Sequence, residues 1–70
     1  MIHSYSLDKR VIPIGMVASL THAMEQAGYS PEAVLAGTGL TLEDLSKHEW
    51  RVSYRQRIQQ VENAINLVND

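Results

Sequence analysis

Helix start and stop signals cut this chain into short pieces, and they constrain its fold more than any other feature. Ser30-Pro31 reads as a helix start: the serine hydroxyl can accept from a free backbone N–H, and proline at the next position loses nothing by lacking its own. Thr41 with Asp44 three residues on has the spacing of a capping box, in which each side chain bonds the other's backbone N–H, and Ser53 with Gln56 repeats it. Tyr29 with Val34, and Leu40 with Leu45, bracket two of these starts as hydrophobic staples. Gly28 is a stop signal, and Gly37 and Gly39 bracket the end of the next segment. Pro13 suits the first turn of an opening helix.

Between the signals, apolar residues recur at helical spacing. Ile14, Val17 and Met24, flanked by Leu20 and Ala27, line one face of the first segment. Tyr54, Ile58, Val61, Ile65 and Val68 follow one another at steps of four and three, a single narrow stripe along the last. The spacing predicts an all-α chain: a small four-helix arrangement with short Gly-, Ser- and Thr-capped connections, helical over residues 13–70 after an extended segment over 1–12. The stripe is expected to be the buried face of a bundle helix. Its other readings are a packing or dimer face, or the face on which a free-standing adaptor captures a partner helix, although two heptads are too few to argue for a coiled coil.

Seventy residues make one domain, of a size at which a single core is marginal. There is no cysteine to staple it and no phenylalanine to fill it, so aliphatic side chains must build the core. A partner surface is therefore expected, either a second copy or the rest of a longer chain. Lys9-Arg10 before the apolar run 11–20 has the outline of a secretory signal. Pro13 interrupts that run, and cleavage near Ala23 would leave too little chain for a disulfide-free core. No stretch is long enough to span a bilayer, and a cytoplasmic location is expected.

The segments over 31–38 and 42–49, joined by a glycine turn, have the outline of a helix-turn-helix. A recognition helix presents its first residues to base edges, and here those are Leu42, Glu43 and Asp44. Acids outnumber Lys47 over 42–50, and the net charge is −2, so the stretch has the shape of a DNA reader without its electrostatics. The basic residues lie further on. Arg51, Arg55 and Arg57 beside Trp50 and Tyr54 are candidate anion or partner contacts, and they carry the alternative of a small stand-alone nucleic-acid binder. The plainer reading makes Arg55 and Arg57 solvated flanks, pairs Arg51 with Glu49 or Glu43, and packs Trp50 on the core edge.

Catalysis finds no support. His3, His22 and His48 are far apart in sequence and form no metal-ligand spacing, and no nucleophile elbow surrounds a serine. His22 and Glu25 share a helix face, a commonplace pairing. No enzyme, cofactor, metal ligand or catalytic residue is expected.

The order Gly28-Tyr29-Ser30-Pro31, Val34-Leu35, Thr38-Gly39-Leu40, Leu45, then Arg51-Val52-Ser53 opening a long helix resembles the start of the N-terminal effector-sensing domain in one branch of the AraC-type transcriptional regulators. The likeness covers about residues 13 to 70. It implies a cytoplasmic bacterial regulator whose sensing domain binds a small effector and dimerises, with DNA bound by a separate C-terminal domain of two helix-turn-helix units. None of that DNA-binding domain is in this sequence. The resemblance therefore implies a fragment, and no effector-binding or DNA-binding residue carries over to it.

Overall fold

The computed structural model describes residues 6–70. Along the chain it contains strand β1 (Arg10–Pro13), helix α1 (Ile14–Gln26), helix α2 (Pro31–Leu35), a single 3-10 turn (Glu43–Ser46), strand β2 (Arg51–Ser53) and helix α3 (Tyr54–Asn69).

The all-α, four-helix expectation is wrong. There are three α-helices and a two-stranded antiparallel sheet, with about 11% of the described residues in strands. β1 pairs with β2 in the register Arg10 to Ser53, Ile12 to Val52 and Pro13 to Arg51, with an irregularity between Arg10 and Ile12. Val11, Ile12 and Val52 are β-branched, and Pro13 lies at the end of its strand, where it forfeits no interior ladder bond. The ladder was illegible because neither strand reaches the usual length, and each finds its partner some forty residues away. The helix expected over 42–49 is also absent, reduced to that one 3-10 turn. Residues 1–5 of the expected extended segment, His3 among them, lie outside the described residues. Residues 6–9 form a turn closed by the Lys9 N–H on the Ser6 carbonyl (3.1 Å).

The segments just before the two strands supply both long helices with partners for their free starts. The Ile14 N–H, first in α1, donates to the Trp50 carbonyl (3.0 Å), and the Arg55 N–H in the first turn of α3 donates to the Leu7 carbonyl (2.9 Å). Pro13, expected in the first turn of the opening helix, instead ends β1 and precedes α1; the other start signals are realised where the sequence placed them. The Ser30 hydroxyl accepts from the Ala33 N–H (3.3 Å). Thr41 and Asp44 exchange bonds of 3.0 and 3.3 Å. Ser53 accepts from the Gln56 N–H (3.1 Å) while Gln56 Oε1 accepts from the Ser53 N–H (2.9 Å).

Gly28, at φ 99°, ends α1: its N–H donates to the Glu25 carbonyl (2.9 Å) and the Tyr29 N–H donates to the Met24 carbonyl (3.0 Å). This is a Schellman closure, and Tyr29 packs on the cluster that contains Met24.

Two small clusters make the core. Ile14, Val17, Leu35 and Val52 are buried together, with Ile12, Leu40 and Leu45 packed on them. Met24, Val34 and Ala64 form the second, with Leu20, Tyr29 and Leu67. α1 buries the face expected of it, with Thr21 added and Ala27 left out in solvent.

Candidate functional site

α3 is the element whose surface differs most from expectation. The stripe expected to be core faces outward: Tyr54 is 44% exposed, Ile58 47%, Ile65 52% and Val68 58%, with Val61 half-buried. The buried side chains of this helix are Gln60 and Ala64. Its packed side is polar and its open side is apolar, the reverse of an ordinary surface helix.

The inversion has a hydrogen-bonding cause. Gln60, with no accessible surface, donates from Nε2 to the Val17 carbonyl (2.8 Å) and to Thr21 Oγ1 (2.9 Å), both on α1. Its Oε1 accepts from Arg57 Nη1 (2.8 Å), which also donates to the Met16 carbonyl (3.1 Å). One turn on, Asn63 Nδ2 donates to the carbonyls of Val34 (2.9 Å) and Ala36 (2.7 Å), the free acceptors at the end of five-residue α2. Asn63 Oδ1 accepts from Gln59 Nε2 (2.9 Å), and Gln56 Nε2 reaches the Thr38 carbonyl (3.1 Å). Every buried side-chain polar atom among the described residues has a partner. These amides grip the carbonyls of α1, α2 and the loop after α2. That fixes which side of α3 faces inward, and the aliphatic stripe is turned out.

The three arginines do not form one patch. Arg51 lies exposed on β2, without an ion pair among the described residues. Arg55 Nε meets Asp8 Oδ1 at 2.7 Å on the β1 side of α3, whereas Arg57 is held against α1. Trp50 is not on the core; it is partly exposed, with Lys47 Nζ 4.0 Å from the ring centroid as a cation–π contact. Lys47 also pairs with Asp44 at 3.0 Å. The Thr41 N–H, and then Lys47, hold the Asp44 carboxyl below its ordinary range.

A polar cleft of about 380 Å³ lies between Arg10, Arg55, Gln59 and the Gly37-Thr38 turn. Sequence reasoning missed it, because only the ladder brings Arg10 beside Arg55. Its buried hydroxyls are already engaged: Thr38 Oγ1 donates to the Leu35 carbonyl (2.7 Å) and accepts from the Leu40 N–H (3.0 Å). His22 and Glu25 both stand in solvent. Among the described residues no three His, Cys, Asp or Glu side chains converge as metal ligands, and no helix is long and apolar enough to cross a membrane.

The geometry therefore offers a contact surface, the outer face of α3, on a helix braced from behind by five polar side chains. Comparison with known proteins adds no relative: no family model, no curated protein and no solved structure matches this chain.

Proposed function

We propose that this chain is a non-catalytic regulatory module, the opening segment of an AraC-type effector-sensing domain in a cytoplasmic bacterial transcriptional regulator, and that it works through contacts of the outer face of α3. The observation that carries the reading is that face. Four large apolar side chains stand in one row on a helix whose inner side is locked by hydrogen bonds. A row of this kind in water marks a surface that something covers. The order of capping and turn residues that resembles the regulators supports the narrower identity. In that reading DNA is bound by a separate domain, and the resemblance assigns no effector-binding residue here.

The same face favours a second reading, a free-standing adaptor that captures a partner helix. The intact mass of the product of the native gene separates the two. A mass several times 7.9 kDa, in a protein that binds its own promoter DNA, is the expected result. A 7.9 kDa product without DNA binding ends the regulator reading and leaves the adaptor.

A further inference from the structure

Two guanidinium groups from distant parts of the chain line one cleft, and a single carboxylate there answers them. Arg10 on β1 and Arg55 in the first turn of α3 border the polar cleft of about 380 Å³, together with Asp8, Gln59 and the Gly37-Thr38 turn.

Arg10 reaches this place through the irregularity in the ladder. Ile12 pairs with Val52, and Arg10, two residues back on β1, pairs with Ser53, one residue on along β2. Val11 is thus the extra residue of a β-bulge, a feature that re-aims side chains at a sheet edge. In a regular ladder Val11 would stand opposite Ser53. With the bulge Arg10 stands there, opposite a residue two before Arg55. Arg55 is fixed from its own side by its N–H on the Leu7 carbonyl (2.9 Å), which brings the 6–9 turn and Asp8 alongside.

Most polar groups of the cleft are already spent. Ser53 and Gln56 satisfy each other in the capping box, and Gln56 Nε2 is on the Thr38 carbonyl. Thr38 Oγ1 is on the Leu35 carbonyl, and Gln59 Nε2 is on Asn63 Oδ1. The guanidiniums keep spare donors. Arg55 gives Asp8 only its Nε (2.7 Å), and both side chains of that pair are largely exposed, so the pair is weak and readily displaced. Arg10 has no ion pair among the described residues, and residues 1–5 contain no acid that could supply one. The cleft therefore holds an excess of one positive charge in a chain whose net charge is −2. General basicity does not account for that excess; local placement does.

We infer that the cleft is a binding site for a small anion, a molecule that presents one carboxylate or phosphate group to Arg10 and Arg55 together. The N–H fork of a guanidinium matches the spacing of oxyanion oxygens and binds them in pairs. The excess charge opposes a cation, and the polar lining opposes an apolar ligand. The volume suits a small molecule rather than a polymer. Because both arginines are exposed, a bare anion should bind with a dissociation constant of about millimolar order.

Titration of the isotope-labelled chain with inorganic phosphate and, separately, with acetate tests this, at an ionic strength held constant with chloride. NMR spectra should show saturable shifts at the Nε–H groups of Arg10 and Arg55 and at the Gly37 and Thr38 amides. Saturation by phosphate alone identifies a phosphate-bearing ligand, saturation by acetate alone a carboxylate, and a response to both supports the shared oxyanion chemistry. Shifts that never saturate, or that chloride alone reproduces, overturn the proposal. Arg10→Gln should weaken binding roughly tenfold with the fold retained, because the side chain is exposed and makes no ion pair among the described residues. Asp8→Asn should strengthen binding about threefold by removing the competitor for Arg55. If Arg10→Gln leaves binding unchanged, or Asp8→Asn weakens it, the cleft is not an anion site. Neither arginine belongs to the outer row of α3, so this proposal and the contact-face reading can fail separately.

Discussion

Gln60 is the residue on which the orientation of α3 depends, and its replacement tests the structure most severely. A chain of this size has about 3–5 kcal/mol of stability to lose. Gln60→Ala removes the bonds to Val17, Thr21 and Arg57, worth about 1 kcal/mol each net, and leaves a small cavity worth roughly 1 kcal/mol more. The expected loss of about 3–4 kcal/mol leaves much of the chain unfolded at room temperature.

Gln60→Leu keeps most of the volume and is the sharper test. Thr21 can then turn its hydroxyl to the Val17 carbonyl four residues back, and Arg57 retains the Met16 carbonyl. Its cost should therefore be about 1–2 kcal/mol. Thr21→Val should cost a similar amount by stranding one amide donor of Gln60. Thr21→Val with Gln60→Leu should cost about 1 kcal/mol less than the sum, because no half-pair is left behind. Urea melts followed by far-UV circular dichroism, at one dilute protein concentration, measure all four variants. If Gln60→Leu is as stable as the parent, the amide network does not hold α3, and the account of why its apolar row faces outward fails.

Asn63→Leu leaves the partly buried Val34 carbonyl unpaired and that of Ala36 to water, and should cost about 1–2 kcal/mol, with hydrogen exchange accelerating in α2 before α1. Gly28→Ala meets no atom, so its cost of about 1 kcal/mol should be backbone strain at φ 99° alone, seen as a lower urea midpoint with an unchanged slope. The lowered pKa of Asp44 means that its contribution is full above the ordinary carboxylate range and is lost as pH falls through the folded value. Asp44→Asn should therefore flatten the stability profile below about pH 4 and leave the shape of its neutral region unchanged, as urea midpoints across pH will show.

Much of the punctuation of this chain is legible in the order of its residues. Ser30, Thr41 with Asp44, Ser53 with Gln56, and Gly28 all act through partners at most four residues away, so their roles follow from short spacing alone. The inward face of α1 is readable for a related reason: Ile14, Val17 and Met24 obey the rule that apolar residues turn inward, and the buried Thr21 joins that face without displacing them.

The ladder and the sense of α3 are settled only in three dimensions. Arg10–Pro13 and Arg51–Ser53 are too short to be recognised separately, and each becomes a strand because the other lies beside it. In α3, five residues have the spacing of a buried face, and the rule that reads α1 correctly fails on them. Gln60 and Asn63 reach the Val17 carbonyl, Thr21 Oγ1 and the carbonyls of Val34 and Ala36 only with their side of the helix turned inward. A buried Gln60 without those acceptors would strand its amide. Satisfying those polar groups outweighs hiding the stripe, so the candidate contact face exists because of hydrogen bonds made on the opposite side of its own helix.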